Sequence, residues 1–415
     1  MKTAAIITIG DELLIGQVTN TNAAFMGQKL SEIGIEVTRT VVVGDQYDEI
    51  MNVFREYHGT VDAVLVTGGL GPTHDDITKK VVADFFKAKL VVDNGVLRNV
   101  RDRLLKRNIP LRKVNEEQAL VPEGCEVLMN HWGTAPGMLF EDANKFFVVM
   151  PGVPHEMQNI MTEYIVPRLK TKAIGQVIKH RVLKTTGIAE SSLYELIGNV
   201  EEILGDKARL AFLPSQFGVR LRITVKAPTM VEADSIIAEV ERKIRSKVEK
   251  YIYSEGEIDL EEIVGRLLTE RKLTISVAES CTGGYISHRI TNISGSSAYF
   301  NRGVVTYSNE AKVEMLHVPG ELIEKFGAVS EEVAGSMAEG MRKISGTDIG
   351  ISVTGIAGPT GATPEKPIGL VYIGLADHAG KVVRKYLFPD ERVRFKERTS
   401  QAALELVRRR ILGLA

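Results

Sequence analysis

Short, nearly unbroken apolar runs, separated by stretches where apolar residues recur every three or four positions, dominate the first 170 residues. TAAIITIG (3–10), DAVLVTGG (62–69) and KFFVVMPG (145–152) are almost wholly apolar, as parallel strands covered on both faces are. EVTRTVVVG (36–44) reads as a further strand, and NTNAAFMGQKLSEIG before it as a helix with polar start signals. This rhythm predicts a parallel sheet with helices on both sides. From about 178 to 252 the pattern changes. HRVLKTTG reads as a strand, AESSLYELIGNV as a helix, and FGVRLRITVKA as a strand of alternating polarity. A long helix then carries Ile236, Val240, Ile244 and Val248 on one face. Those elements make a small two-layer α+β unit, with turns at Pro214 and Pro228 and no catalytic constellation. It reads as a spacer or dimerisation module.

A polar junction, SEGEIDLEE (254–262), opens a third α/β segment. A helix over 259–270 leads to the strand KLTISVAES, another helix, and the strand YFNRGVVTYS. An amphipathic helix follows from Ser330, with Glu331 and Glu332 in its first turn. The strand DIGISVTG, a hairpin-like pair (GLVYIGLAD and KVVRKYLF) and a basic-ended C-terminal helix complete it. The expected domains are therefore 1–170, 171–254 and 255–415.

Bulk composition narrows the function classes. Lys+Arg (52) and Asp+Glu (53) nearly cancel, giving a net charge of -1, so nothing marks nucleic acid as the main ligand. The longest apolar runs are strand-sized, short of the ~20 residues a membrane helix needs. At the N-terminus, the apolar run meets Asp11 and Glu12 rather than a small-residue cleavage site, which argues against a signal peptide. Two widely separated cysteines, Cys125 and Cys281, argue against a disulfide framework or a cysteine zinc site, and place the chain in a reducing cytoplasm.

Ligands of open parallel sheets bind beyond the carboxyl ends of the strands. The N-terminal strands end in GDELLIGQ, GGLGPTHDD and PGVPHE. On one edge, Asp11, Glu12, Asp75, Asp76 and Glu156 would converge, with His74 and His155 near them. The Gly68, Gly69 and Gly71 loop offers backbone N–H groups to an anion. Acids beside such a loop suit a divalent metal bridging protein and phosphate. Each loop taken alone is equally a set of helix caps and tight turns.

The same geometry recurs in the third segment, where ISVAESCTGG, VVTYSNEAK and ISVTGIAGPTG run from strands into loops of hydroxyls and glycines. On a common edge, Ser280, Tyr307, Lys312 and the Gly355–Gly361 loop surround one cavity. Serine needs a base to attack. No histidine lies in these loops, which leaves Lys312, provided burial or nearby positive charge lowers its pKa. Tyr307 stands where it relays the proton or orients the lysine. The N–H groups of Cys281 and Thr282 are candidate oxyanion donors, the glycine loop suits phosphate, and Arg392 adds a fork. Taken singly, Ser280 is also a good N-cap, Lys312 an ordinary surface charge, and Cys281 a packed residue or rival nucleophile.

TGGLGPTHDD and PGVPHEM resemble the signature loops of the molybdopterin-binding fold of molybdenum-cofactor biosynthesis. With ITIGDELLIGQVTNTN ahead of them, they resemble the N-terminal half of the CinA family, named for competence and damage inducibility. AESCTGG, FNRGVVTYSNEAK, GAVSEEVA and SVTGIAGPTG are similar to the C-terminal CinA domain, which resembles stand-alone nicotinamide-nucleotide amidases. The resemblance implies a metal-dependent pyrophosphatase acting on ADP-ribose or a related nucleotide diphosphate, with Asp76, Asp11 and Glu156 at the divalent ion. It implies a cofactor-free amidase converting nicotinamide mononucleotide to nicotinate mononucleotide and ammonia, with Ser280, Lys312 and Tyr307 catalytic. Residues expected to bind substrate are Thr282, Gly283, Gly284, Asn309, Gly355, Ala357, Gly358, Gly361 and Arg392, and Gly68, Gly69 and Gly71 in the first domain. A homodimer is also implied. Two alternatives stand beside this reading: an N-terminal module that binds a pterin or nucleotide without turnover, and an accessory protein of DNA uptake or recombination.

Overall fold

Strands buried on both faces need apolar residues at every position, and this is how the first sheet is built. The computed structural model describes residues 1–71, 76–106, 108–110, 112–142, 145–173 and 177–414 (backbone alone at 113 and 114). The sheet takes β1 (Thr3–Ile9), β2 (Glu36–Val43), β3 (Ala63–Thr67), β6 (Glu126–Leu128), β7 (Gly137–Asp142) and β8 (Lys145–Met150) in the order β2-β1-β3-β8-β7-β6. A separate ribbon pairs β4 (Leu90–Val92) with β5 (Leu120–Pro122). The strands legible in the sequence, β2, β1, β3 and β8, pair in parallel. β7 and β6 extend the sheet antiparallel, so it is mixed rather than wholly parallel. Those edge strands are short, and GMLFED turns polar halfway along. Alternate residues serve two cores: Ile6, Leu65 and Val148 face one, and Ile7, Val64 and Phe147 the other.

In the second of these cores Phe54, fully buried, meets Phe147 and Phe85 edge-on, with ring centroids 5.0 and 5.7 Å away.

The middle segment orders β9 (Val177–Thr185), β10 (Ala208–Ser215), β11 (Gly218–Ala227) and β12 (Ile252–Glu255) as β10-β11-β9-β12. β10 and β12 escape the polarity pattern because one lacks alternation and the other has four residues. The long helix spans Met230–Val248. Its buried face is Ala233, Ile237, Val240, Ile244 and Val248, with Ile236 only half-buried. A strict four-residue step drifts off the face of a 3.6-residue turn, which is why Ile237 replaces Ile236.

In the C-terminal segment, β13 (Ile275–Glu279), β14 (Phe300–Val305), β15 (Ile349–Gly355), β16 (Leu370–Asp377) and β17 (Gly380–Leu387) lie in the order β14-β13-β15-β16-β17. β13 is parallel to both neighbours, while β16 and β17 form the expected antiparallel pair. Helices Leu260–Arg271, Tyr285–Thr291 and Arg392–Leu412 cover one face through Val264, Ile286 and Leu404. The helix Glu331–Ser345 covers the other through Val333, Met337 and Met341. Ser330 caps it, accepting a hydrogen bond from the Val333 amide.

The chain divides into two compact units, residues 1–179 with 225–235, and residues 180–224 with 236–415. Within the second, Arg408 donates to the Lys250 carbonyl and Gln401 to the Thr186 hydroxyl, joining the C-terminal helix to the middle segment. Among the described residues no helix is long and apolar enough to cross a membrane.

Truncating Phe54 to alanine should cost the first unit about 3–5 kcal/mol. The protein's one tryptophan, Trp132, lies in that unit, so its fluorescence should show unfolding at lower urea. An unchanged midpoint would show that the aromatic cluster carries little of the stability.

Candidate active site

Because β14, β13 and β15 are parallel, their carboxyl ends reach one edge of the C-terminal sheet. Ser280 follows β13 directly and its amide donates to the Val353 carbonyl at 3.0 Å. The residue before it, Glu279, is fully buried. Its Oε2 accepts from the Gly284 and Ile286 amides at 3.0 and 3.1 Å. Oε1 accepts from the Ser287 amide and hydroxyl at 2.9 and 2.7 Å. Gly283 and Gly284, with φ of +60° and +94°, turn the loop so that these groups face the carboxylate. Ser280 is therefore not the helix N-cap. The helix starts at Tyr285, and Glu279 takes the capping role from outside it. Sequence reading missed Glu279; its signal was an acid closing an apolar strand before two glycines.

Lys312 sits in the first turn of the helix Asn309–Leu316, which Ser308 caps through the Ala311 amide. Its side chain bends back toward the helix start, as helical side chains do, and is 1% exposed. Nζ lies 3.3 Å from Ser280 Oγ and within 2.9, 3.2 and 3.2 Å of the Thr306, Tyr307 and Ser308 carbonyls. Burial pushes its ammonium below the ordinary 10.5, with Cys281 and Glu310 pulling the other way. In the neutral form two N–H groups serve carbonyls and the lone pair accepts the Ser280 hydroxyl proton.

Tyr307 does not orient the lysine through its phenol. The ring is 62% exposed and its hydroxyl accepts from Arg392 Nη2 at 2.9 Å; only its backbone carbonyl touches Lys312. Arg392 Nη1 donates to the Gly358 carbonyl at 2.9 Å, so the guanidinium ties the end of β14 to the glycine loop. Thr282 is fully buried, its hydroxyl turned inward without a partner, so it offers the edge only its backbone. The Cys281 amide faces its own thiol, and the Thr282 amide follows it at the strand edge, where backbone donors can meet an oxyanion. Asn309 is exposed at the start of the lysine helix, and Gly361 is exposed in the glycine loop. Gly355 ends β15, where a Cβ would press to 2.7 Å from the Leu370 carbonyl oxygen. Ala357 packs into the core.

Cys281 also belongs to that core, and burial pushes its thiol up to about 12. No histidine activates it: His288 faces Asn292, and His317 ends the lysine helix.

In the first unit, Gly68 has φ +113°, and a Cβ there would lie 2.1 Å from the Ile9 carbonyl oxygen. Only glycine lets the end of β3 close on the end of β1. The Gly68 amide is spent on the Met150 carbonyl, so that N–H is not presented to an anion. Gly69 is equally close-packed, against the Thr78 hydroxyl, while Gly71 stands beside the Asp76 carboxylate. Asp11 and Asp45 hold each other, each amide donating to the other's carboxylate at 3.1–3.2 Å. Burial raises the Asp45 pKa, and the neighbouring charges of Asp11, Glu12 and Asp76 raise it further, against the Asp11 amide's hydrogen bond. Asp45, unremarked in the sequence, thus joins Asp11 and Asp76. Glu156 does not. Its carboxylate accepts from Asn130 at 2.6 Å, under Gly133, because Asn130 also binds the Trp132 and Gly133 amides and the Ala135 carbonyl. His155 is exposed; His74 and Asp75 lie outside the described residues. Asn22 joins Thr67 to Gly152, linking the ends of β3 and β8. Among the described residues no three His, Cys, Asp or Glu side chains form a complete metal-holding group.

These features define a multidomain α/β protein with a serine–lysine pair at one sheet edge and a carboxylate group at another. Residues 5–171 match the family model of a probable molybdopterin binding domain, 180–254 that of the damage-inducible protein CinA KH domain, and 257–411 that of the CinA C-terminal domain. A CinA-like protein of Kosmotoga olearia is 45% identical over 411 residues, covering 99% of each chain. A putative competence-damage inducible protein of Clostridium botulinum is 42% identical over 408 residues, covering 98% of this chain and 99% of that one. The chain belongs to the CinA family. Among solved structures, the competence/damage inducible protein CihA of Agrobacterium tumefaciens is 40% identical, spanning 38% of this chain and 96% of that one with a TM-score of 0.35.

At pH 8, iodoacetamide should label neither cysteine of the folded protein, since burial also pushes Cys125 up to about 11. Rapid modification of Cys281, read by mass spectrometry, would restore the thiol as a candidate nucleophile.

Proposed function

We propose that the C-terminal domain is a serine–lysine amidase that hydrolyses nicotinamide mononucleotide to nicotinate mononucleotide and ammonia. The observation that carries this reading is a buried lysine amine 3.3 Å from the hydroxyl of Ser280. Neutral Lys312 takes the Ser280 proton as Oγ attacks the carboxamide carbon, and the oxyanion turns to the backbone amides that follow Ser280. Lys312 then protonates the departing nitrogen and ammonia leaves. Water attacks the acyl-enzyme, its proton passes to the lysine, and the acid product departs as Ser280 is reprotonated. No cofactor takes part in these steps.

For the N-terminal domain we propose metal-dependent cleavage of ADP-ribose or a related nucleotide diphosphate. Asp11, Asp45 and Asp76 carry hard oxygen donors, and a divalent cation would relieve the repulsion that, after burial, raises the Asp45 pKa. These carboxylates would hold the ion, which supplies charge to a pyrophosphate when bound. The middle domain does not favour the alternative of an accessory protein of DNA uptake: residues 180–254 contain no GxxG, the loop by which KH modules clamp a nucleic-acid backbone. A homodimer in a reducing cytoplasm belongs to this proposal too.

Ser280→Ala should lower ammonia release from nicotinamide mononucleotide by at least ~10³-fold, with metal-stimulated AMP release unchanged; full turnover would refute the assignment. Burial keeps the Lys312 pKa below 10.5, so kcat/KM should climb with pH along a limb centred below that value as the lysine sheds its proton. A limb centred at or above 10.5 would contradict Lys312 as the base. Asp45→Asn should cost at least about tenfold in metal-stimulated AMP release from ADP-ribose, whereas Glu156→Gln should keep the metal dependence. The reverse pattern would return Glu156 to the site.

A further inference from the structure

Most cations around the C-terminal helix already have partners. Arg398 pairs with Asp390 at 2.7 Å, Arg408 with Glu405 at 2.7 Å and Arg410 with Asp377 at 2.6 Å. Arg392 bridges Gly358 and Tyr307. Arg394 is exposed to solvent, whereas Lys396, one turn after Arg392 on the same helix face, is half-buried. Among the described residues Lys396 makes no hydrogen bond, ion pair or ring contact.

Its position is not arbitrary. Nζ lies 3.3 Å from where a Gly283 Cβ would stand, beside the exposed glycine of the otherwise buried loop that carries Ser280. Its charge acts on Cys281 together with that of Lys312, which puts the two ammonium groups around one short segment. The carboxylate nearest in sequence to this loop, Glu279, cannot neutralise Lys396, because four N–H and O–H donors already occupy both its oxygens. The C-terminal helix adds to the local positive field. It is 21 residues long, it begins at Arg392, and no side chain caps it.

A partly desolvated, unpaired ammonium is compensated when a ligand brings a negative charge. A carboxamide carries none, so the charge must come from another part of the substrate. We infer that Lys396 receives the phosphate of the substrate and makes the site selective for a mononucleotide over the corresponding nucleoside. This rests on the amidase reading of Ser280 and Lys312. In that role Lys396 is a specificity residue rather than a participant in bond making. Arg392, one turn earlier on the helix, reaches a phosphate only by releasing one of its present acceptors.

Ser280→Ala gives a full-length chain in which substrate binding can be measured without turnover. Calorimetry with nicotinamide mononucleotide and with nicotinamide riboside should be compared in that background with and without Lys396→Met. The dissociation constant for the mononucleotide should rise about 10- to 100-fold, while that for the riboside stays within about twofold. Lys396→Arg should recover most of the mononucleotide affinity. Equal weakening of both ligands would assign Lys396 to the loop or the oxyanion and overturn the proposal, as would no change in either. Failure of the amidase reading has a separate signature: no ammonia from the unsubstituted chain and no mononucleotide binding to Ser280→Ala.

Discussion

The C-terminal site depends on one buried carboxylate. Glu279 leaves the sheet fully buried, and a carboxylate in that position survives only if its oxygens are saturated with donors. The next eight residues supply four of them, so the chain cannot continue straight from β13 into a helix. It loops through two left-handed glycines, and the loop holds Ser280 just beyond the strand end. The placement of the Ser280 hydroxyl and the start of the helix at Tyr285 both follow from satisfying that one charge.

Lys312 is governed by a related constraint with the opposite sign. Three backbone carbonyls ring its nitrogen, which would favour an ammonium, but burial works against the charge and prevails in direction. The balance suits the base that the proposed amidase reaction needs. Cys281, adjacent to the serine, shows the contrast. The same burial that lowers an amine raises a thiol, and core packing leaves that thiol inert. Two neighbouring residues thereby acquire opposite chemical fates from one environment.

Legibility differed between the two ends of the chain. The parallel strands were readable because doubly covered strands are apolar at nearly every position. The antiparallel edge, β6 and β7, was not, because short strands that turn polar leave no periodic trace. Ser280 and Lys312 could be paired on paper because both lie just beyond strands of one parallel set. In the first domain the same argument grouped Glu156 with Asp11 and Asp76, and it did not foresee that Glu156 accepts from Asn130. Asp45, at a strand end that carried no glycine-rich flag, interlocks with Asp11. Strand order brings loops to one edge, but it does not aim their side chains.

What the sequence by itself determined was the succession of elements, the strand ends that carry chemistry, and the family to which their motifs belong. Those follow from local rules: side-chain periodicity, the special conformations open to glycine, and the types of residue at strand ends. Only the tertiary structure decided that the Tyr307 phenol points to Arg392, that Thr282 turns inward, that Glu279 organises the serine loop, and that Lys396 stands over it unpaired. Each of these depends on which donors and acceptors remain unsatisfied once distant segments have packed, and that count does not exist until the chain has folded.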